Sequence, residues 1–137
     1  MKKFYLDTNI WLDYFQNRSD GLKPIGEFAF QFLKSCLNSE CEIYYSNFVI
    51  KELRHIFTVS EIEEFLKIVK DKLVFVEANP FDLDEARIIS RQYSLHYADA
   101  IHLVLAKKSE CILITRDKHF DQISLIEIFK PEEANYN

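Results

Sequence analysis

Short apolar runs alternate with segments of helical period along most of this chain, and that alternation limits the fold more than any other feature. Lys2–Leu6, Glu42–Tyr45, Leu73–Glu77, Cys111–Thr115 and Leu125–Phe129 read as strands. Ile10–Gln16 reads as a helix with Ile10, Trp11, Tyr14 and Phe15 on a broad apolar face. Pro24 suits the first turn of a second helix, where Ile25, Phe28, Ala29, Phe32, Leu33, Cys36 and Leu37 recur at helical period. Ser46 can cap a third helix, and Ser60 with Glu63 forms a capping box for a fourth. Asp82 and Glu85 give a second capping pattern, for Leu83–Tyr93, and Ala98–Lys108 is a further helix. Strands separated by helices need crossovers, so the expected fold is a mostly parallel sheet covered on both faces.

Four acids fall where such a sheet gathers ligands, outside the carboxyl ends of its strands. Asp7 closes KKFYLDTN, Glu52 lies inside SNFVIKELRH, Asp99 opens ADAIHLVLA, and Asp117 closes ECILITRD. Each has a structural reading of its own. Asp7 suits a turn or helix N-cap, Asp99 a helix start, Asp117 a turn, and Glu52 a solvated helix face. As a cluster without a His or Cys ligand set, they read as a site for the hard cations Mg²⁺ or Mn²⁺. That is the chemistry of a metal-dependent phosphodiesterase. His102 shares a helix face with Asp99 and reads as structural, while His55 and His119 read as surface residues. No H-x₃-H, H-E-x-x-H or C-x-x-C spacing supports zinc. There is also no G-x-S-x-G and no glycine-rich phosphate loop.

The chain has 137 residues, 48% hydrophobic and 28% charged, which places it with globular proteins and suits one domain over 1–137. No segment is long enough to span a membrane, and the three cysteines, odd in number, read as reduced thiols of a cytosolic protein. A net charge of −5 argues against nucleic-acid binding, which needs Lys and Arg at phosphates. Two bound divalent cations would offset most of that charge. Basic residues also flank the acids: Lys51, Arg54 and His55 near Glu52, and Arg116, Lys118 and His119 near Asp117.

FYLDTNIWLD, SNFVIKEL, YADAIHLVLA and LITRDKHF together resemble the four acidic motifs of PIN domains, in order and over nearly the whole chain. Within that family the chain is most similar to the VapC-type toxin ribonucleases of toxin–antitoxin pairs. The resemblance implies an α/β, three-layer, PIN-like fold with a five-stranded, mostly parallel sheet in the order 3-2-1-4-5. It implies a catalytic set of Asp7, Glu52, Asp99 and Asp117, with Asp7, Asp99 and Asp117 holding Mg²⁺ or Mn²⁺. Asn9 and Thr115 match supporting residues behind the acids, and Asp121 corresponds to an additional acid found in some members. The implied activity is endonucleolytic cleavage of RNA, leaving a 3′-hydroxyl and a 5′-phosphate. The implied partners are RNA, a small antitoxin protein and a second copy of the chain, in the cytoplasm.

Other readings stay open. The same chemistry could act on DNA or on an rRNA precursor, and a silent binding module could keep a vestigial pocket. A response-regulator receiver fits poorly, since it needs an Asp where this chain has Glu77. The apolar width of the first helix exceeds one core stripe, and Phe30 lies off the stripe of the second. An interface at Trp11, Tyr14 and Phe30 is therefore expected, where an antitoxin would pack.

Overall fold

The computed structural model describes residues 1–136. Its strands are β1 (Lys2–Leu6), β2 (Cys41–Ser46), β3 (Leu73–Val76), β4 (Ile112–Ile114) and β5 (Ile128–Phe129). Its helices are α1 (Thr8–Gln16), α2 (Ile25–Leu37), α3 (Asn47–Leu53), α4 (Val59–Leu66), α5 (Pro80–Tyr93) and α6 (Tyr97–Lys108). All strand pairs are parallel, and the sheet order is β3-β2-β1-β4-β5, as the sequence led us to expect.

The central strand shows why both faces are covered. Phe4, Tyr5 and Leu6 are all fully buried, and successive side chains point to opposite faces. Phe4 meets Phe32 of α2 edge-on, with ring centroids 5.1 Å apart. Tyr5 instead meets His102 of α6, at 5.6 Å. Asp7, two residues on from Tyr5, follows it toward the α6 side. α6 is buried from Ala100 to Ala106, which explains its run of apolar residues on every side.

The helix starts differ from expectation at two places. The capping box of α4 uses Thr58 and Glu61, two residues before Ser60 and Glu63. That of α5 uses Asn79 and Asp82, three before the expected pair. In both, the first residue is still in extended backbone, the geometry a cap requires. Ser46 does cap α3, accepting the Val49 N–H at 3.2 Å. β5 is shorter than expected because it pairs only with Leu113 and Ile114 of the short β4.

Trp11 corrects the expected interface. It is fully buried, because α1 packs against α2 and α3 and spends its apolar width on the core. Phe15 of α1 is partly buried and stacks on Phe65 of α4 at 4.5 Å. Tyr14 is only partly buried and lies parallel to Phe30 at 6.2 Å, and Phe30 is 39% exposed.

Candidate active site

The sheet ladder continues past β1 and β4 and sets the first acid in place. The Asp7 N–H donates to the Ile114 carbonyl at 3.0 Å, so Asp7 lies beside Thr115. The Thr115 hydroxyl donates to Asp7 Oδ2 at 2.8 Å and accepts the Asp117 N–H at 3.1 Å. Asp7 sits at the N-cap position of α1 but makes no side-chain cap bond, so its carboxylate is not serving as a cap. Asp99 lies in the first turn of α6. Asp117 accepts the His119 N–H at 2.9 Å and so does hold the turn after β4. Glu52, on α3, accepts at Oε1 from the Thr8 hydroxyl at 3.0 Å and lies 2.5 Å from His102 Nε2.

Burial and mutual repulsion raise the proton affinity of two acids. Asp7 is 4% exposed, and burial pushes its carboxyl up despite the His102 charge and the Thr115 hydroxyl. Asp99 is pushed up to about 6, by burial first and then by the charges of Asp117 and Asp7. Glu52 moves the other way: burial would raise it, but the hydrogen bond and charge of His102 outweigh burial and hold it low. Burial opposes protonation of His102, yet the Glu52 bond and the Asp7 charge leave its proton affinity raised. His102, read from the sequence as structural, thus lies bonded to Glu52 with its proton affinity raised.

A divalent cation fits this donor set. Carboxylates that repel one another favour a positive ion between them, and ligand atoms of Asp99, Asp117 and His119 all lie within 4.8 Å of one another. His119, expected at the surface, is exposed, yet its Nδ1 lies 2.8 Å from Asp117 Oδ1. Asp7 is outside that group of three but acts on Asp99 through its charge. Asn9 is exposed, and among the described residues no side-chain hydrogen bond joins it to the acids. Asp121 lines a cleft of about 420 Å³ beyond β4 and β5, together with Asp117, Lys23, Lys118 and Lys130. Arg116 also lines that cleft but pairs with Glu132 and approaches Asp13 at 3.9 Å, so it is not free for a phosphate. Lys51, Arg54 and His55 line a second cleft, along α3.

This geometry belongs to a recognised class. Residues 4–125 match the PIN domain family, and the chain belongs to it. Among curated proteins, none matches the chain in sequence. Solved structures similar to it include VapBC2 from Rickettsia felis bound to a promoter DNA fragment, with a TM-score of 0.68 and 18% identity, covering 92% of this chain and 96% of that one. A toxin–antitoxin complex from Klebsiella pneumoniae aligns with a TM-score of 0.68 and 23% identity, over 95% and 98%. DNA-bound VapBC from Salmonella typhimurium aligns with a TM-score of 0.65 and 18% identity, over 96% and 99%. At these identities the likeness is one of fold.

Proposed function

We propose that this chain is a Mg²⁺- or Mn²⁺-dependent endoribonuclease and the toxin of a toxin–antitoxin pair. The observation that carries the reading is the set of acids at the carboxyl edge of the 3-2-1-4-5 sheet, with Asp7 and Asp99 made reluctant to ionise by burial and by one another. Asp7, Asp99 and Asp117 would hold the cation, and His119 stands beside the last two. A bound divalent cation supplies Lewis acidity toward a phosphodiester and toward water. Thr115 holds Asp7 in one orientation through Oδ2. Thr8 and His102 hold Glu52 ionised, ready to accept a hydrogen bond from an attacking water. Lys23, Lys118 and Lys130 share one cleft with Asp117, and Lys51, next to Glu52 in the chain, lines the other; both clefts suit phosphates on either side of a scissile bond.

The toxin reading draws on the Klebsiella pneumoniae structure named above, a toxin–antitoxin complex that contains a chain of this fold. The exposed Tyr14–Phe30 stack is the surface proposed to receive such a partner. Incubation of the purified protein with single-stranded RNA tests the catalytic half. Cleavage with Mg²⁺ or Mn²⁺, leaving 3′-hydroxyl and 5′-phosphate ends, is the expected result. Cleavage that persists after verified metal removal would overturn it.

A further inference from the structure

A network of hydrogen bonds behind Glu52 joins five elements of the fold. His102 is 1% exposed, and its Nδ1 lies 2.7 Å from the Tyr5 hydroxyl. That hydroxyl lies 2.7 Å from Ser46 Oγ, which in turn accepts the Val49 N–H. On the other side, His102 Nε2 reaches Glu52 Oε1 at 2.5 Å, and the Thr8 hydroxyl donates to the same oxygen. The central strand, the end of β2, α6 and the start of α1 are thereby tied to one carboxylate oxygen on α3.

Two features set this arrangement apart from ordinary core packing. A polar ring buried between a central strand and a helix is unfavourable unless both nitrogens are bonded, and an apolar side chain would fill the space more simply. Here both nitrogens are bonded, and one bond ends on an acid at the mouth of the site. In addition, both protein hydrogen bonds to Glu52 end on Oε1, leaving Oε2 without one among the described residues. Resting on the nuclease reading, we propose that Tyr5 and His102 are positioning residues. They anchor Glu52 by Oε1 so that Oε2 is presented to the substrate side, where it orients water rather than binding the cation. Cation binding is left to Asp7, Asp99 and Asp117.

His102→Leu, His102→Gln and Tyr5→Phe test this in the full chain. The readouts are Mn²⁺ affinity by calorimetry, kcat and KM on a short single-stranded RNA, and the imidazole ¹⁵N resonances. His102→Leu is expected to lower kcat by roughly 10- to 100-fold, the usual cost of losing an orienting contact, with RNA KM and Mn²⁺ affinity unchanged. His102→Gln, which keeps an N–H donor, is expected to recover much of that loss. Tyr5→Phe should fall between. Wild-type kcat in His102→Leu overturns the proposal. So does an equal loss in the Leu and Gln variants that tracks thermal stability, and so does Mn²⁺ binding that weakens in step with kcat. The NMR arm needs neither RNA nor metal: Glu52→Gln is expected to move the His102 Nε2 resonance, and an unmoved resonance overturns the pairing. A wild type that cuts no RNA but shows that shift fails the nuclease reading while leaving the Tyr5–His102–Glu52 linkage standing.

Discussion

Asp99 carries a carboxyl that keeps its proton up to about 6, while its unfolded counterpart releases it near the ordinary value of 3.8. A carboxyl raised on folding destabilises the ionised fold; the cost is absent below the lower value and complete above the higher. Asp7 is shifted in the same direction. His102, raised from 6.5, adds stability that is present below that value and lost as pH climbs through its folded value. Glu52, lowered from 4.5, acts oppositely but only in more acid solution. The metal-free protein should therefore melt at a lower temperature as pH rises from about 5 to about 7. Excess Mn²⁺ should reverse that trend, because ionised acids bind it. A metal-free melting temperature that rises across the window would contradict this account of the site. Asp99→Asn should flatten the metal-free trend and leave the circular dichroism spectrum intact. It should also lower RNA cleavage by more than the about 100-fold typical of losing an outer contact. Wild-type cleavage by that variant would remove Asp99 from the site.

Helices and strands carry a second group of expectations. The N–H of Gly26 in α2 donates to the Arg18 carbonyl at 2.8 Å, and a Cβ there would lie 2.6 Å from Asn17 Cα. Gly→Ala inside a helix ordinarily stabilises by about 1 kcal/mol. Here the obstructing atoms are backbone, so Gly26→Ala should destabilise instead, by about 1–3 kcal/mol, read from the denaturant midpoint. On the outer face of α2, Phe30→Glu should leave RNA cleavage intact and weaken inhibition by a cognate antitoxin. Equal inhibition of mutant and wild type in a titration would place the partner elsewhere. The element order was legible because strand runs and helical periods differ so clearly in this chain. The capping boxes were not, because S-x-x-E at Ser60 and T-x-x-E at Thr58 satisfy one rule, and only the backbone geometry chooses. Trp11 was misjudged for a related reason: a wide apolar face looks the same whether a partner or the rest of the fold covers it.

Across the whole molecule, the sheet order explains why residues as far apart as Asp7 and Asp117 share one electrostatic environment. Asp7 and Asp117 could be picked out because each ends a strand-like run, and Asp99 because its helix feeds β4. His102 and His119 could not, since a single histidine carries no periodic signal. The only hints were that His102 shares a face with Asp99 and that Tyr5 shares one with Asp7. The net charge of −5 is not spread evenly, since Lys23, Lys118 and Lys130 line one cleft and Lys51 and Arg54 the other. The central claim is a metal-dependent cut in RNA by these acids. Its most direct test is cleavage of a single-stranded RNA by wild type and Asp7→Asn, each with Mn²⁺ and after metal removal. The account predicts cleavage only by wild type with Mn²⁺, leaving 3′-hydroxyl ends. Cleavage by Asp7→Asn at the wild-type rate, or by metal-free wild type, would contradict it.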